Sequence, residues 1–195
     1  LCLKNNLSFL VEKPAFSSME QANSISKSLD NFKGKSMVGY MMRFISTFCK
    51  AKELIDSKSL GKIRSFEGTM YISQLFKEGK GWRYDSNLSG GGVVVHQTCH
   101  LLDLLNWFFG HPSKVGAITN NWFSSDVEDH AHIVFNYDNN LTGWVDSTWS
   151  RFNKRMLSTR LHIEGEYGSL TVDDDSVKLF LIKDIVRFLP QKSYT

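Results

Sequence analysis

The residue types best suited to chemistry gather in one segment. Between Val93 and Phe109, His96, His100, Asp103 and Trp107 recur at i, i+4, i+7 and i+11, on one face of a helix otherwise filled by Leu, Val and Phe. Burying two imidazoles and a carboxylate costs roughly a few kcal/mol unless each finds a partner, so a polar cavity on that face is the economical reading. The plainer alternative is a pair of hydrogen-bonded structural histidines with Asp103 tying the helix to a loop. Histidines at i and i+4 also suit Zn²⁺, but no Glu stands between them and no fourth ligand is evident, so no metal site is assigned.

Just upstream, Gly90-Gly91-Gly92 removes three side chains and permits close approach of a ligand or of another stretch of backbone. Neither this run nor Gly79-x-Gly81 continues as G-x-G-x-x-G, and there is no Walker loop. Glu12-Lys13-Pro14 closes an apolar run. Pro14 ends its ladder and disfavours the helical region at Lys13, which presents an amine at a strand's carboxyl end. Read alone, one Lys before one Pro is a surface turn. Gly81-Trp82-Arg83 lies in a polar loop, where Arg can fork onto a phosphate or carboxylate and Trp can cover a ring.

These residues need a scaffold. A strand ending near Val11, a helix over Ser18–Asn31 with Ser17 as N-cap and Glu20 at N3, and a strand over Ser36–Phe44 make a parallel βαβ unit. A second amphipathic helix over Phe48–Leu60 stops at Gly61. Beyond Ile63 the texture changes to short runs rich in β-branched and aromatic residues: Ser65–Leu75, His130–Tyr137, Leu141–Trp149, Arg160–Glu164, Ser169–Val172 and Val177–Ile182. Turn chemistry at Asp138-Asn139-Asn140, Gly165–Gly168 and Asp173-Asp174-Asp175 predicts antiparallel pairing, interrupted by one long helix, Val93–Phe109.

Composition limits the rest. The 195 residues are 42% hydrophobic, enough for a sizeable core, and 23 basic against 20 acidic residues leave +3 with no basic run, which argues against a nucleic-acid binder. Cys2, Cys49 and Cys99 are odd in number and lack CxxC spacing, so a reducing cytoplasm is expected. No membrane span or export signal is visible, and the chain reads as if picked up inside a domain.

Taken together in order, Glu12-Lys13-Pro14, Tyr40-Met41-Met42-Arg43-Phe44, Leu60-Gly61-Lys62-Ile63, Gly81-Trp82-Arg83, the run from Gly90 to Asp103 and the turn Glu164 to Leu170 resemble the Gfo/Idh/MocA oxidoreductase family. The resemblance implies an α+β chain: residues 1–44 as the end of a Rossmann domain, then 45–195 as a substrate-binding and oligomerisation domain with a mostly antiparallel open sheet and flanking helices. It implies that the first ~120 residues of a whole member are lacking, so that this chain by itself is expected to be inactive and to hold NAD or NADP only weakly. It implies catalytic Lys13, His96 and His100, with His96 standing where many members have Asp, and cofactor contacts from Glu12, Lys13, Pro14, Arg43, Trp82 and Arg83. The expected reaction interconverts a hydroxyl and a ketone on a sugar, inositol or related polyol. Alternatives within the family are diol dehydrogenases, bilin reductases and NAD-assisted glycosidases. A non-catalytic assembly module is the alternative outside it. A homodimer or homotetramer through the sheet, whose open face is expected to be rich in Trp and Phe, is the expected assembly, with neither nucleic acid nor membrane as partner.

Overall fold

The structure, a computed structural model, describes residues 1–16 and 18–182. Its first part is a small parallel unit. Strand β1 (Phe9–Val11) pairs with β2 (Ser36–Val38), and helix α1 (Met19–Leu29) connects them. The N-cap of α1 is Ser18, whose hydroxyl accepts from the Gln21 amide at 3.3 Å; the expected cap, Ser17, lies outside the described residues. The strand expected over Ser36–Phe44 stops at Val38, because its partner β1 ends at Val11 and offers no further ladder. Gly39 donates back to the Val11 carbonyl at 2.9 Å, and Met41–Phe44 winds into a 3₁₀ turn.

Helix α2 (Ser46–Asp56) is shorter than the sequence suggests. It ends at Asp56, Lys58 just beyond adopts φ 56° without a glycine to announce it, and Gly61 at φ 68° makes a second turn further on. There follow β3 (Ile63–Tyr71), the short α3 (Ser86–Ser89), helix α4 (Cys99–Phe109) and strands β4 (Lys114–Asn120), β5 (His130–Asn136), β6 (Thr142–Thr148), β7 (Ser158–Gly165), β8 (Gly168–Asp173) and β9 (Val177–Leu181). Strand β4 has no counterpart in the sequence reading. It is an edge strand exposed along its whole length, so no alternation of buried and exposed positions marks it.

The sheet order is β4-β5-β6-β3-β7-β8-β9. Its pairing is antiparallel except between β3 and β6, which are parallel from Ser65↔Thr142 to Tyr71↔Thr148, in keeping with the expected mostly antiparallel sheet. The first strand of the sheet is inserted at its centre, and the chain returns to flank it on both sides. One face buries Phe66, Met70, Ile133, Val145, Leu161 and Leu170 against Phe48 and Ala51 of α2 and Leu101, Leu104 and Leu105 of α4. Gly68 lets α4 settle there: a Cβ on it would lie 3.2 Å from Leu101.

Among the described residues no helix covers the opposite face. Alternation places Glu67, Tyr71, His130, His132, Trp144, Asp146 and Arg160 there, so it is far less aromatic than expected. Asp146 organises part of it, accepting from the Tyr71 hydroxyl at 2.7 Å and meeting His130 Nε2 at 3.1 Å. Of the remaining tryptophans, Trp149 is buried on the helix side.

Candidate active site

The segment that carries His96 and His100 is not a uniform helix. Val94–Thr98 form a π turn that runs into α4 at Cys99. A π turn holds an extra residue per turn and recurs at functional sites. Buried Gln97 pins it to the sheet, donating to the Met70 carbonyl at 2.8 Å, and the Thr98 hydroxyl donates to the Val93 carbonyl at 3.1 Å.

The start of this segment is held by Glu128, a residue the sequence reading did not single out. Its carboxylate accepts from the Gly92 amide at 2.8 Å and the Val94 amide at 2.9 Å, while its carbonyl accepts from the Val93 amide at 2.8 Å. A carboxylate on the leading N–H groups of a helix is favoured by hydrogen bonding and by the helix dipole. The close approach that the three glycines allow is therefore to a backbone, that of Glu128. Next to it, Asp129 orders the loop by accepting from the Trp122, Phe123 and Ser124 amides at 3.0, 2.6 and 2.9 Å. Nothing in Glu128-Asp129 distinguishes it from a surface acidic pair until the glycines are seen to face it.

Lys13 reaches this segment from the end of β1, and its Nζ donates to the His96 carbonyl. Lys13, Arg83, His96 and His100 together line a cavity of about 220 Å³, walled by the rings of Tyr84 and Trp149. Trp82 stands edge-on to His96 at 5.5 Å, and Tyr40 edge-on to His100 at 6.1 Å. Gln74 and Gln97, neither predicted as site residues, also line it.

Not every expected residue converges there. Arg43 sets Nε and Nη2 on the two carboxylate oxygens of Asp103, each at 2.6 Å, with Trp107 5.8 Å from its guanidinium. That fork ties the 3₁₀ turn to α4, on the part of the His-bearing face that the cavity does not reach. Glu12 and Pro14 flank Lys13 without lining the cavity, and Trp82 borders it through Arg83 and His96. Among the described residues no cluster of His, Cys, Asp and Glu could hold a metal ion.

Two atoms define what the cavity can do. His96 Nε2 and His100 Nδ1 are buried and have no hydrogen-bond partner among the described residues. Buried ring nitrogens are almost always paired, and both rings line the cavity, so a polar group placed there can pair with them. Burial pushes both imidazoles below their ordinary pKa, and the Lys13 ammonium pushes the same way; for His96 the Arg83 guanidinium adds to it. Glu128 opposes the shift at His96, and Asp103 and Glu12 oppose it at His100. Both rings are accordingly neutral near neutral pH and able to accept a proton. A reaction that uses either as a base should keep its rate as pH falls to about 6.5, the ordinary histidine pKa, and decline only below it. A pH profile of kcat/KM whose acid limb lies above that value would contradict this.

The family profile for the GFO/IDH/MocA C-terminal domain matches residues 48–171. Levoglucosan dehydrogenase of Pseudarthrobacter phenanthrenivorans is 21% identical over 188 residues, covering 83% of this chain and 48% of its own length. The 1-carboxy-3-chloro-3,4-dihydroxycyclohexa-1,5-diene dehydrogenase of Comamonas testosteroni is 26% identical over 175 residues, covering 80% of this chain and 44% of its own. Among solved structures, levoglucosan dehydrogenase in complex with NADH and levoglucosan superposes with a TM-score of 0.85 at 21% identity, over 92% of this chain and 52% of that one. The chain thus spans about half the length of these relatives.

Proposed function

This chain belongs to the Gfo/Idh/MocA family, and from that premise we propose that it is the substrate-side part of an NAD(P)-dependent oxidoreductase that interconverts a hydroxyl and a ketone on a sugar, inositol or related polyol. Residues 1–44 are read as the end of a dinucleotide-binding domain and 45–195 as the substrate domain. The observation that carries the proposal is the pair of unpartnered buried nitrogens, His96 Nε2 and His100 Nδ1, beside the Lys13 ammonium.

These residues fit the nicotinamide end of a dinucleotide, since orphaned acceptors and an amine face one small cavity at the carboxyl end of a parallel strand pair, the edge where such ligands bind. Lys13, with Trp82 alongside, is the group placed at that end, while Arg83 stands at the mouth of the cavity. When bound there, NAD(P) supplies the acceptor or donor of hydride. The chain's own part is proton and charge. As the carbinol carbon loses hydride, its hydroxyl proton must leave, and His100 Nδ1 takes it. His100 is better placed than His96 to carry the resulting charge, because Asp103 and Glu12 favour its imidazolium against Lys13 alone, whereas at His96 only Glu128 stands against both Lys13 and Arg83. The Lys13 ammonium stabilises charge developing on the oxygen, and the Tyr84 and Trp149 rings keep water from the centre. The polar open face of the sheet, with Ile118 and Val134 exposed on it and Trp144 half-buried, supports assembly into dimers or tetramers. Among the described residues no helix is long and apolar enough to cross a membrane.

Calorimetric titration of the full-length protein with NAD and with NADP should give saturable binding of at least one at micromolar concentrations. If neither binds, the chain serves as something other than part of a dehydrogenase.

A further inference from the structure

The cavity is unbalanced in charge. Its lining includes the Lys13 ammonium and the Arg83 guanidinium and not one carboxylate among the described residues. The nearby acids are already committed or stand outside it. Asp103 takes both ends of the Arg43 fork, Glu128 takes the Gly92 and Val94 amides, and Glu12 lies beside Gly39. Lys13 donates a hydrogen bond to a neutral carbonyl and so keeps its charge uncompensated. Arg83, exposed at the mouth, has no hydrogen bond or ion pair among the described residues, and its contact is the Trp82 ring, 5.5 Å from the guanidinium.

A site with two cations, two neutral imidazoles and no counter-ion is poorly matched to an uncharged ligand, which would bring nothing to offset the desolvation of the cations. A ligand with hydroxyls at one end and an anion at the other satisfies every group. Hydroxyls pair with the unpartnered histidine nitrogens and Lys13, and the anion meets the planar fork of Arg83, whose geometry matches a carboxylate in two parallel hydrogen bonds. A cavity of about 220 Å³ is of monosaccharide scale, below the range of drug-sized pockets.

Resting on the oxidoreductase reading above, we infer that the substrate is a sugar acid, with its reacting hydroxyl against His96, His100 and Lys13 and its carboxylate on Arg83. Oxidation removes hydride from the carbinol carbon to the nicotinamide and the hydroxyl proton to an imidazole, leaving a keto acid. The carboxylate takes no part in bond making.

The test compares hexuronates with the parent hexoses of the same ring configuration and with their 6-phosphates, using the full-length enzyme and its nicotinamide nucleotide. The expected result is a kcat/KM for a hexuronate at least about 10-fold above that of its hexose, the scale of one charge-assisted bidentate contact. Arg83→Gln should collapse that ratio, mainly through KM, while Arg83→Lys restores part of it. Melting curves of both variants show whether the fold survives. In the absence of nucleotide, the ring resonances of His96 and His100 should shift saturably with the hexuronate at concentrations where the hexose shifts nothing. Hexoses used as well as their acids, with a ratio indifferent to Arg83→Gln, would overturn the sugar-acid assignment and leave the dehydrogenase reading standing. A preference for the 6-phosphate would overturn the carboxylate in particular. Nucleotide-dependent oxidation of no compound in any of the three classes would overturn both.

Discussion

Replacing Lys13 with Ala in the full-length enzyme lowers kcat by about 100-fold or more and moves KM much less, since a group that meets charge present only as the alkoxide forms acts in the transition state. A factor of that size corresponds to about 2.7 kcal/mol of lost stabilisation. The geometry supports it: the amine is anchored by the His96 carbonyl and faces both imidazoles. A second signature separates this from structural damage. Because the ammonium is one of the charges that hold both histidines below their ordinary pKa, removing it lets those pKa values rise, and the acid limb of the pH profile moves upward. Steady-state kinetics across pH decides the matter, and an unchanged turnover would reduce Lys13 to a turn residue.

Gly92→Ala carries a large expected cost in stability. An added Cβ would stand 1.8 Å from the Glu128 carbonyl oxygen and under 3 Å from its carbonyl carbon and amide nitrogen, all backbone atoms that cannot rotate aside. Relief requires the loop before β5 to withdraw, which breaks the Val93–Glu128 hydrogen bond at 2.8 Å and the two carboxylate bonds at the start of the π turn. Overpacking of this kind with the loss of buried hydrogen bonds costs about 3 kcal/mol or more, a large share of a typical domain's 5–15 kcal/mol. Gly116→Ala is the control: its Cβ would meet only Val134 Cγ2 at 3.3 Å on an exposed strand, for a change of about 0.5 kcal/mol or less. Urea denaturation of the two variants gives the comparison, and a midpoint for Gly92→Ala equal to that of the unaltered protein would show that the loop yields freely.

What the sequence discloses of this arrangement follows from how locally each part is encoded. The His-bearing face of Val93–Phe109 is visible because helical spacing alone puts His96, His100 and Asp103 together on a segment too apolar to lie at the surface. Strand β7 and its turn into β8 are visible for the same reason, a strict alternation punctuated by glycines. Strand β4 escapes because an edge strand with both faces partly wet has no pattern to read, and β2 is overestimated because its length is set by β1, 27 residues away. The division of the polar face between a cavity, which takes His96 and His100, and the Arg43–Asp103 fork depends on what packs opposite each turn of helix. Glu128 escapes for that reason too: its partners, Gly92 and Val94, lie more than 30 residues before it.

The π turn has a bearing on how such a site changes over generations. Excising one residue from Val94–Thr98 would let the segment relax to ordinary α geometry and swing the side chain at position 96 by roughly 100° about the axis, while Leu101, Leu104, Leu105 and Phe108 kept their places in the core. A single codon lost there would trade one side chain for another at the reacting end and leave the scaffold unaware of the exchange.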